Sequence, residues 1–169
     1  MQRWLFRREL GDLGDAPVFW LDECGVDHRL YRERGRSPRG ALIYQEVAGK
    51  RRGRTSIISA SRENRLVAPF AFEGCCDTGV VDVYFETTLL PVLPPGSVIV
   101  MDNARFHQSP TTARLVEAAG CRLLFLPTYS PDLNPIEHLW AALKSRIRAG
   151  LPSAEDPFLF ISNMCLCYC

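Results

Sequence analysis

The sequence predicts one α/β domain, a mixed β-sheet with helices packed against it. Three observations predict it. Short continuous apolar runs at residues 98–101 (VIVM) and 123–126 (LLFL) read as strands covered on both faces, as in parallel sheets. Two earlier strand-like runs, 55–60 (TSIISA) and 66–72 (LVAPFAF), flank a polar turn, RENR, in the manner of a hairpin. Helical periodicity then alternates with the later strands, which is the order of folds that lay helices on a sheet. The chain of 169 residues, 47% hydrophobic and 23% charged, is long and apolar enough to bury one core, so disorder is excluded as its main state.

Element by element, residues 1–16 form a lead-in. The run PVFWL at 17–21 has the length and aromatic content of a buried strand and ends on Asp22. Residues 24–53 are basic and punctuated by Gly35, Gly40, Gly49 and Gly53, and read as a strand or hairpin followed by an exposed loop, GRSPRG. Pro69 marks the second strand of the hairpin as an edge strand or a bulged one. Residues 80–92 are loosely helical and stop at Pro94-Pro95-Gly96. The strand at 98–101 ends on Asp102. Residues 111–119 read as a helix stopped by Gly120. After the strand at 123–126, the loop PTYSPDLNP leads into a helix from Pro135 to about Ala149. There Asn134 is the expected N-cap, Pro135 the first helical residue, and Ile136, Leu139, Trp140, Leu143 and Ile147 the apolar stripe. The domain is therefore drawn at residues 17–150. Residues 151–169, with two prolines, three clustered cysteines and no convincing period, are expected to be a poorly folded end or an out-of-frame extension.

A net charge of +1 does not announce a polyanionic partner, but its distribution does. Residues 28–54 carry nine basic side chains against two acids, and residues 66–104 carry five acids and no base. A basic stretch beside an acidic one can bring a polyanion next to a cation site. The seven cysteines form no CxxC pair and read as reduced thiols of a cytosolic protein. The N-terminal MQRWLFRREL lacks the apolar core of a signal peptide, and no run reaches membrane-span length, so a cytoplasmic protein with no membrane partner is expected.

Three acids stand out by position: Asp22 and Asp102 at the ends of strands, and Glu137 in the first turn of a helix. Strand ends on one side of an α/β sheet converge on a crevice, and a helix start can bring a third carboxylate there. Such oxygen ligands suit Mg²⁺ or Mn²⁺, and a pair of these ions can drive phosphodiester displacement. Taken singly, each acid has a plainer reading: Asp22 as a solvated strand end, Asp102-Asn103 as a turn, Glu137 as the capping-box partner of Asn134. The joint pattern decides.

That pattern resembles a known family. LDECG around Asp22, RGRSPRG at 34–40, VIVMDNARFH around Asp102 and LLFLPTYSPDLNPIEHLWAALK around Glu137 are similar, in order, to the blocks of DDE superfamily endonuclease domains in mariner-like insertion-sequence transposases. The 34 residues between Asp102 and Glu137 match that family's spacing, and the resemblance covers roughly residues 17–148. It implies an RNase H-like fold, a five-stranded mixed sheet with helices on both faces. It implies that Asp22, Asp102 and Glu137 are the catalytic, metal-binding triad for two Mg²⁺ or Mn²⁺ ions, with Asp22 shared between them. It implies nicking at element ends and strand transfer into DNA, TA-containing targets, and a homodimer or synaptic complex in a bacterial, nucleoid-associated setting. Arg34, Arg36, Arg39, Arg51 and Arg52 are the candidate DNA contacts, and Asn103, His107 and Asn134 are candidate supports for the acids. Family members carry a helix-turn-helix region that reads the element ends, so this chain is expected to be the catalytic half alone, either a truncated copy or one reading frame of a split gene whose separate chain supplies that region. The alternatives are another RNase H-like nuclease, against which the proline-rich block before Glu137 argues, and an inert remnant that binds DNA or a partner without turnover.

Overall fold

The computed structural model describes residues 2–28, 37–42, 44 and 53–169. A five-stranded sheet runs in the order β3-β2-β1-β4-β5, made of β1 (Val18–Asp27), β2 (Arg54–Arg62), β3 (Arg65–Glu73), β4 (Val98–Met101) and β5 (Arg122–Phe125). The first three strands pair antiparallel, and β1, β4 and β5 pair parallel. The mixed sheet expected from the sequence is thus present.

The hairpin forms as its turn chemistry dictates. Glu63 and Asn64 both have positive φ, 53° and 62°, the left-handed pair whose twist suits a two-residue connection between Arg62 and Arg65. β3 is an edge strand, and its ladder with β2 shifts register between Ile58 and Ala60, where Ala68 takes φ 53° just before Pro69. Both expectations for Pro69 hold. The hydroxyl of Tyr84 accepts a 3.1 Å bond from the Ala60 amide at this irregularity, so the buried donor stays paired.

Helices cover both faces. On one side, α2 (Thr78–Tyr84) continues through a π-turn at Phe85–Leu89 and packs with α3 (Pro110–Ala118). Asp77 caps α2 by accepting from Val80 N–H at 2.9 Å, and Ser109 caps α3. Phe19, Leu21, Tyr84, Phe85, Ile99 and Met101 make that core. On the other side, α4 (Ile136–Gly150) lays its stripe of Ile136, Leu139, Trp140, Leu143 and Ile147, all buried, against Cys24, Val26 and Ile57. α1 (Gln2–Gly11) plugs the β4–β5 end with Phe6.

Two readings need correction. β1 does not end at Asp22 but runs on to Asp27. Cys24 and Val26 are buried in the alternation that a strand requires, so the charged pair Asp22-Glu23 sits inside the strand and not at its end. Nor is the C-terminal segment poorly folded. Residues 157–166 form α5 (Pro157–Leu166), capped by Asp156 accepting from Leu159 N–H at 3.0 Å. α5 packs on β3 and α4, buries Ile161 and Cys165, and the Leu66 amide donates to the Tyr168 carbonyl at 2.7 Å.

Candidate active site

β1 and β4 bring the first two acids level. Their parallel register pairs Val18 with Val98 and Trp20 with Val100. Carried on by two residues, the same register sets Asp22 beside Asp102, just past the last residue of β4. The third acid comes from the opposite layer: Glu137 is in the first turn of α4, delivered by the loop after β5. Asp22, Asp102 and Glu137 line one cleft of about 350 Å³, whose walls also carry Asn103, Tyr129 and Asn134. The structure therefore gathers the predicted triad. Among the described residues, no three His, Cys, Asp or Glu side chains close up to ion-binding spacing. Asp102 and Glu137 are exposed, while Asp22 is half-buried.

The electrostatics of the cleft are unfavourable to its own charge. Burial, followed by the charges of Glu23, Glu137 and Asp102, pushes the Asp22 carboxyl up to about 7. The Glu23 backbone amide opposes this rise, and Trp140 Nε1–H also donates to Asp22 Oδ2 at 3.1 Å. Trp140 is thus both core, as its place on the stripe predicts, and a partner of the first acid. Asp102 has the opposite bias. The hydrogen bond from His107 holds it below the usual carboxylate range, against the effect of burial, and the Ala104 amide adds a bond of 3.0 Å.

His107 is fully buried between two acids, with Nδ1 2.5 Å from Asp102 Oδ1 and Nε2 2.5 Å from Glu23 Oε1. Burial alone would lower its imidazolium, but the bonds to Asp102 and Glu23 more than offset that and push it up to about 9. Carboxylate oxygens stand at both ring nitrogens, so both nitrogens donate.

The remaining candidates fall out unevenly. Asn103 lines the cleft and accepts a 2.7 Å bond from Gln108. Asn134 does not cap α4. The chain turns there through a short 3₁₀ segment at Pro131–Leu133, the cap position falls on Pro135, and the Asn134 amide instead donates to the Leu21 carbonyl at 3.4 Å. It thereby ties the α4 lead-in to β1, and its buried Oδ1 has no partner. Arg39 is exposed on the described part of the basic loop, and Arg34, Arg36, Arg51 and Arg52 lie outside the described residues.

Sequence reasoning missed Glu23, which follows Asp22 where the strand was expected to end. It also missed Tyr129, 96% exposed at the cleft with φ 56°. A bulky residue in the left-handed region is uncommon, and that was not legible from a loop composition. Cys24 is buried and its thiol is pushed up to about 11 by that burial, so it is inert packing beside the site.

The cleft's donors are oxygens, its acids repel one another, and one buried amide oxygen on its wall is unpaired. This chemistry fits a hard divalent cation. Comparisons with known proteins identify the family. A family model described as DDE superfamily endonuclease matches residues 17–156. The transposable element Tc1 transposase of Caenorhabditis elegans is 40% identical over 151 residues, 83% of this chain and 55% of that protein. The Tcb1 transposase of Caenorhabditis briggsae is 30% identical over 143 residues, 79% of this chain and 52% of that protein. The chain spans about half the length of the curated relatives it matches. Among solved structures, the Mos1 strand transfer complex matches with a TM-score of 0.64 at 15% identity, over 98% of this chain and 56% of the other. The mariner Mos1 paired end complex with Mg matches at 0.61 and 14%, over 98% and 57%. The RNase H-like fold is borne out by these likenesses.

Proposed function

Since the chain belongs to the DDE superfamily endonucleases, we propose that it is the catalytic part of a transposase, which nicks DNA at the ends of a mobile element and joins the freed 3′ ends to target DNA. The observation that carries this reading is the convergence of Asp22, Asp102 and Glu137, from β1, the end of β4 and the start of α4, on one cleft. In this reading Asp22, Asp102 and Glu137 would together hold Mg²⁺ or Mn²⁺, two ions being proposed. Its support is the oxygen-only donor set and the Mos1 complex with Mg among the structural likenesses.

Divalent ions bound there would supply a nucleophilic water and stabilise the leaving 3′ oxygen. The chain's own residues prepare the place. Asp22 must give up the proton that burial and its acidic neighbours favour, and Trp140 Nε1–H fixes one of its oxygens while the other stays available. Asp102 is already ionised, with Oδ1 held by His107 and the Ala104 amide. Glu137 rides on the first turn of α4, which carries it to the wall of the cleft. Asn134 holds that helix start to β1.

DNA is the proposed substrate, both as element ends and as a TA-containing target. Arg39, together with Arg34, Arg36, Arg51 and Arg52, supplies the proposed phosphate contacts. The active assembly in this reading is a homodimer or synaptic complex, with a helix-turn-helix region outside these residues reading the element ends. The Mos1 structures, a strand transfer complex and paired end complexes, support that assembly by likeness of fold. No observation favours an inert remnant.

The test is nicking of supercoiled plasmid in Mg²⁺ or Mn²⁺ by the purified chain and its Asp102→Asn variant. The expected result is metal-dependent nicking that the variant loses while keeping its fold. Equal nicking by both proteins would remove Asp102 from the site, and no nicking by the folded chain in either metal would count against a self-sufficient nuclease.

A further inference from the structure

We propose that Glu23, acting through His107, is a positioning residue that sets the aim of the Asp102 carboxylate. The inference rests on the nuclease reading for its purpose, but its geometry is independent of that reading. Adjacent residues of a strand point to opposite faces. Phe19 and Leu21 of β1 belong to the α2–α3 core and Cys24 and Val26 to the α4–α5 core, so Asp22 is sent to the α4 side and Glu23 to the other. The Asp-Glu pair is therefore not two copies of one ligand. Asp22 meets Trp140 on α4. Glu23, with a side chain only 16% exposed, meets His107, which lies in the 3₁₀ turn Arg105–His107 that follows Asp102.

Asp102 needs such help. It lies just past the end of β4, in a stretch with no regular structure before that turn, and half its side chain is exposed. Left alone, the carboxylate would turn freely. His107 Nδ1–H reaches both its Oδ1, at 2.5 Å, and its backbone carbonyl, at 3.3 Å. Together with the 3.0 Å bond from the Ala104 amide, two donors converge on Oδ1 and leave Oδ2 as the oxygen on offer. The imidazole can aim Asp102 only if its own ring is fixed. Phe106 packs edge-on at 4.3 Å between centroids, and Glu23 Oε1 accepts from Nε2 at 2.5 Å, 84 residues away in sequence. Outer partners of this kind, which orient a ligand without touching the ion, typically change metal affinity 10–100-fold when removed.

The experiment compares the full chain with Glu23→Ala and Glu23→Gln, using Ile161→Ala in α5 as a destabilised control remote from the cleft. Mn²⁺ affinity is read by electron paramagnetic resonance of the free ion, stability by thermal melting, and plasmid nicking as a function of Mn²⁺. Glu23→Ala is expected to weaken Mn²⁺ binding at least about tenfold and to raise the half-maximal Mn²⁺ for nicking in parallel. Glu23→Gln keeps an oxygen for Nε2–H and should recover much of that loss, and Ile161→Ala should bind Mn²⁺ like the parent. If Glu23→Ala does not fold, the Gln variant carries the comparison, with a smaller weakening expected. Unchanged Mn²⁺ affinity in the folded Glu23 variants, or an equal loss in Ile161→Ala, overturns the proposal. Parent nicking with Mn²⁺ binding indifferent to Glu23 sinks the positioning role and leaves the nuclease reading standing. Mn²⁺ binding that depends on Glu23, from a parent that never nicks, does the reverse.

Discussion

The carboxyl of Asp22 sits where burial and three nearby acids oppose its charge, while the indole of Trp140 favours it. A hydrogen bond to a charged group is worth about 1.5–3 kcal/mol when its partner is otherwise buried. Trp140→Phe keeps an aromatic ring on the stripe but removes the donor and part of the indole's packing. At pH 8 it should therefore lower stability by at least that amount in chemical denaturation and slow nicking more than it weakens DNA binding. A variant that nicks at the parental rate would show that the indole is core and nothing else. At this scale the sequence was legible for Asp22, Asp102 and Glu137, because each follows an apolar run or opens a strong helix. It was not legible for Glu23 or for the indole N–H. Which way those side chains point depends on β1 continuing past Asp22, and a strand interrupted by two acids does not look continuous. Asn134 failed for a related reason: a good capping residue was drawn away to the Leu21 carbonyl, and the helix began one residue later.

Between elements, the end of the chain shows how far a missing period can mislead. The sequence PFLFISNMCLCYC is apolar nearly all round: α5 buries Ile161 and Cys165 on one face, but Leu159 and Leu166 are exposed on the other, so the sequence shows no amphipathic stripe. α5 is held instead by its Asp156 cap and by contacts to the edge strand β3. It covers part of an edge that would otherwise present unpaired backbone groups. Ile161 is fully buried between α5, α4 and the sheet. Ile161→Ala should cost about 2–5 kcal/mol in denaturant unfolding. A loss under about 0.5 kcal/mol, the usual range for surface positions, would mean that this helix is not part of the core. The central elements were easier. β4 was bounded correctly because a fully buried parallel strand is apolar at every position, and α4 because its stripe is long. The π-turn at Phe85–Leu89 was hidden, since a local extra residue per turn leaves the composition unchanged.

For the whole molecule, the sheet order β3-β2-β1-β4-β5 puts β1 and β4 side by side at its centre, and the acids they carry share one cleft with the start of α4. The metal-free domain bears the cost as pH dependence. Asp22 has a raised folded value, about 7 against an ordinary 3.8, so its contribution to stability is complete below about 4 and is lost as pH rises through 7. His107, raised to about 9, adds stability that is complete below about 6.5 and is lost as pH rises through 9. Asp102, held low, acts in the other direction, and only at acid pH. From pH 5 to pH 9 the melting temperature of the metal-free chain should therefore fall, with Asp22→Asn removing the part lost below about pH 7.5.

The most direct measurement is thermal melting of the chain and of Asp22→Asn at pH 8, with and without Mn²⁺. Without metal, the variant should melt above the parent, because the asparagine has no charge to bury and can still accept from Trp140. Saturating Mn²⁺, at a hundred times its dissociation constant, should stabilise the parent by about 2.7 kcal/mol, which for a domain of this size is roughly 5–10 °C, and should move the variant little. A parent that Mn²⁺ leaves unmoved, or a variant that it raises just as far, would contradict a cation site built on Asp22.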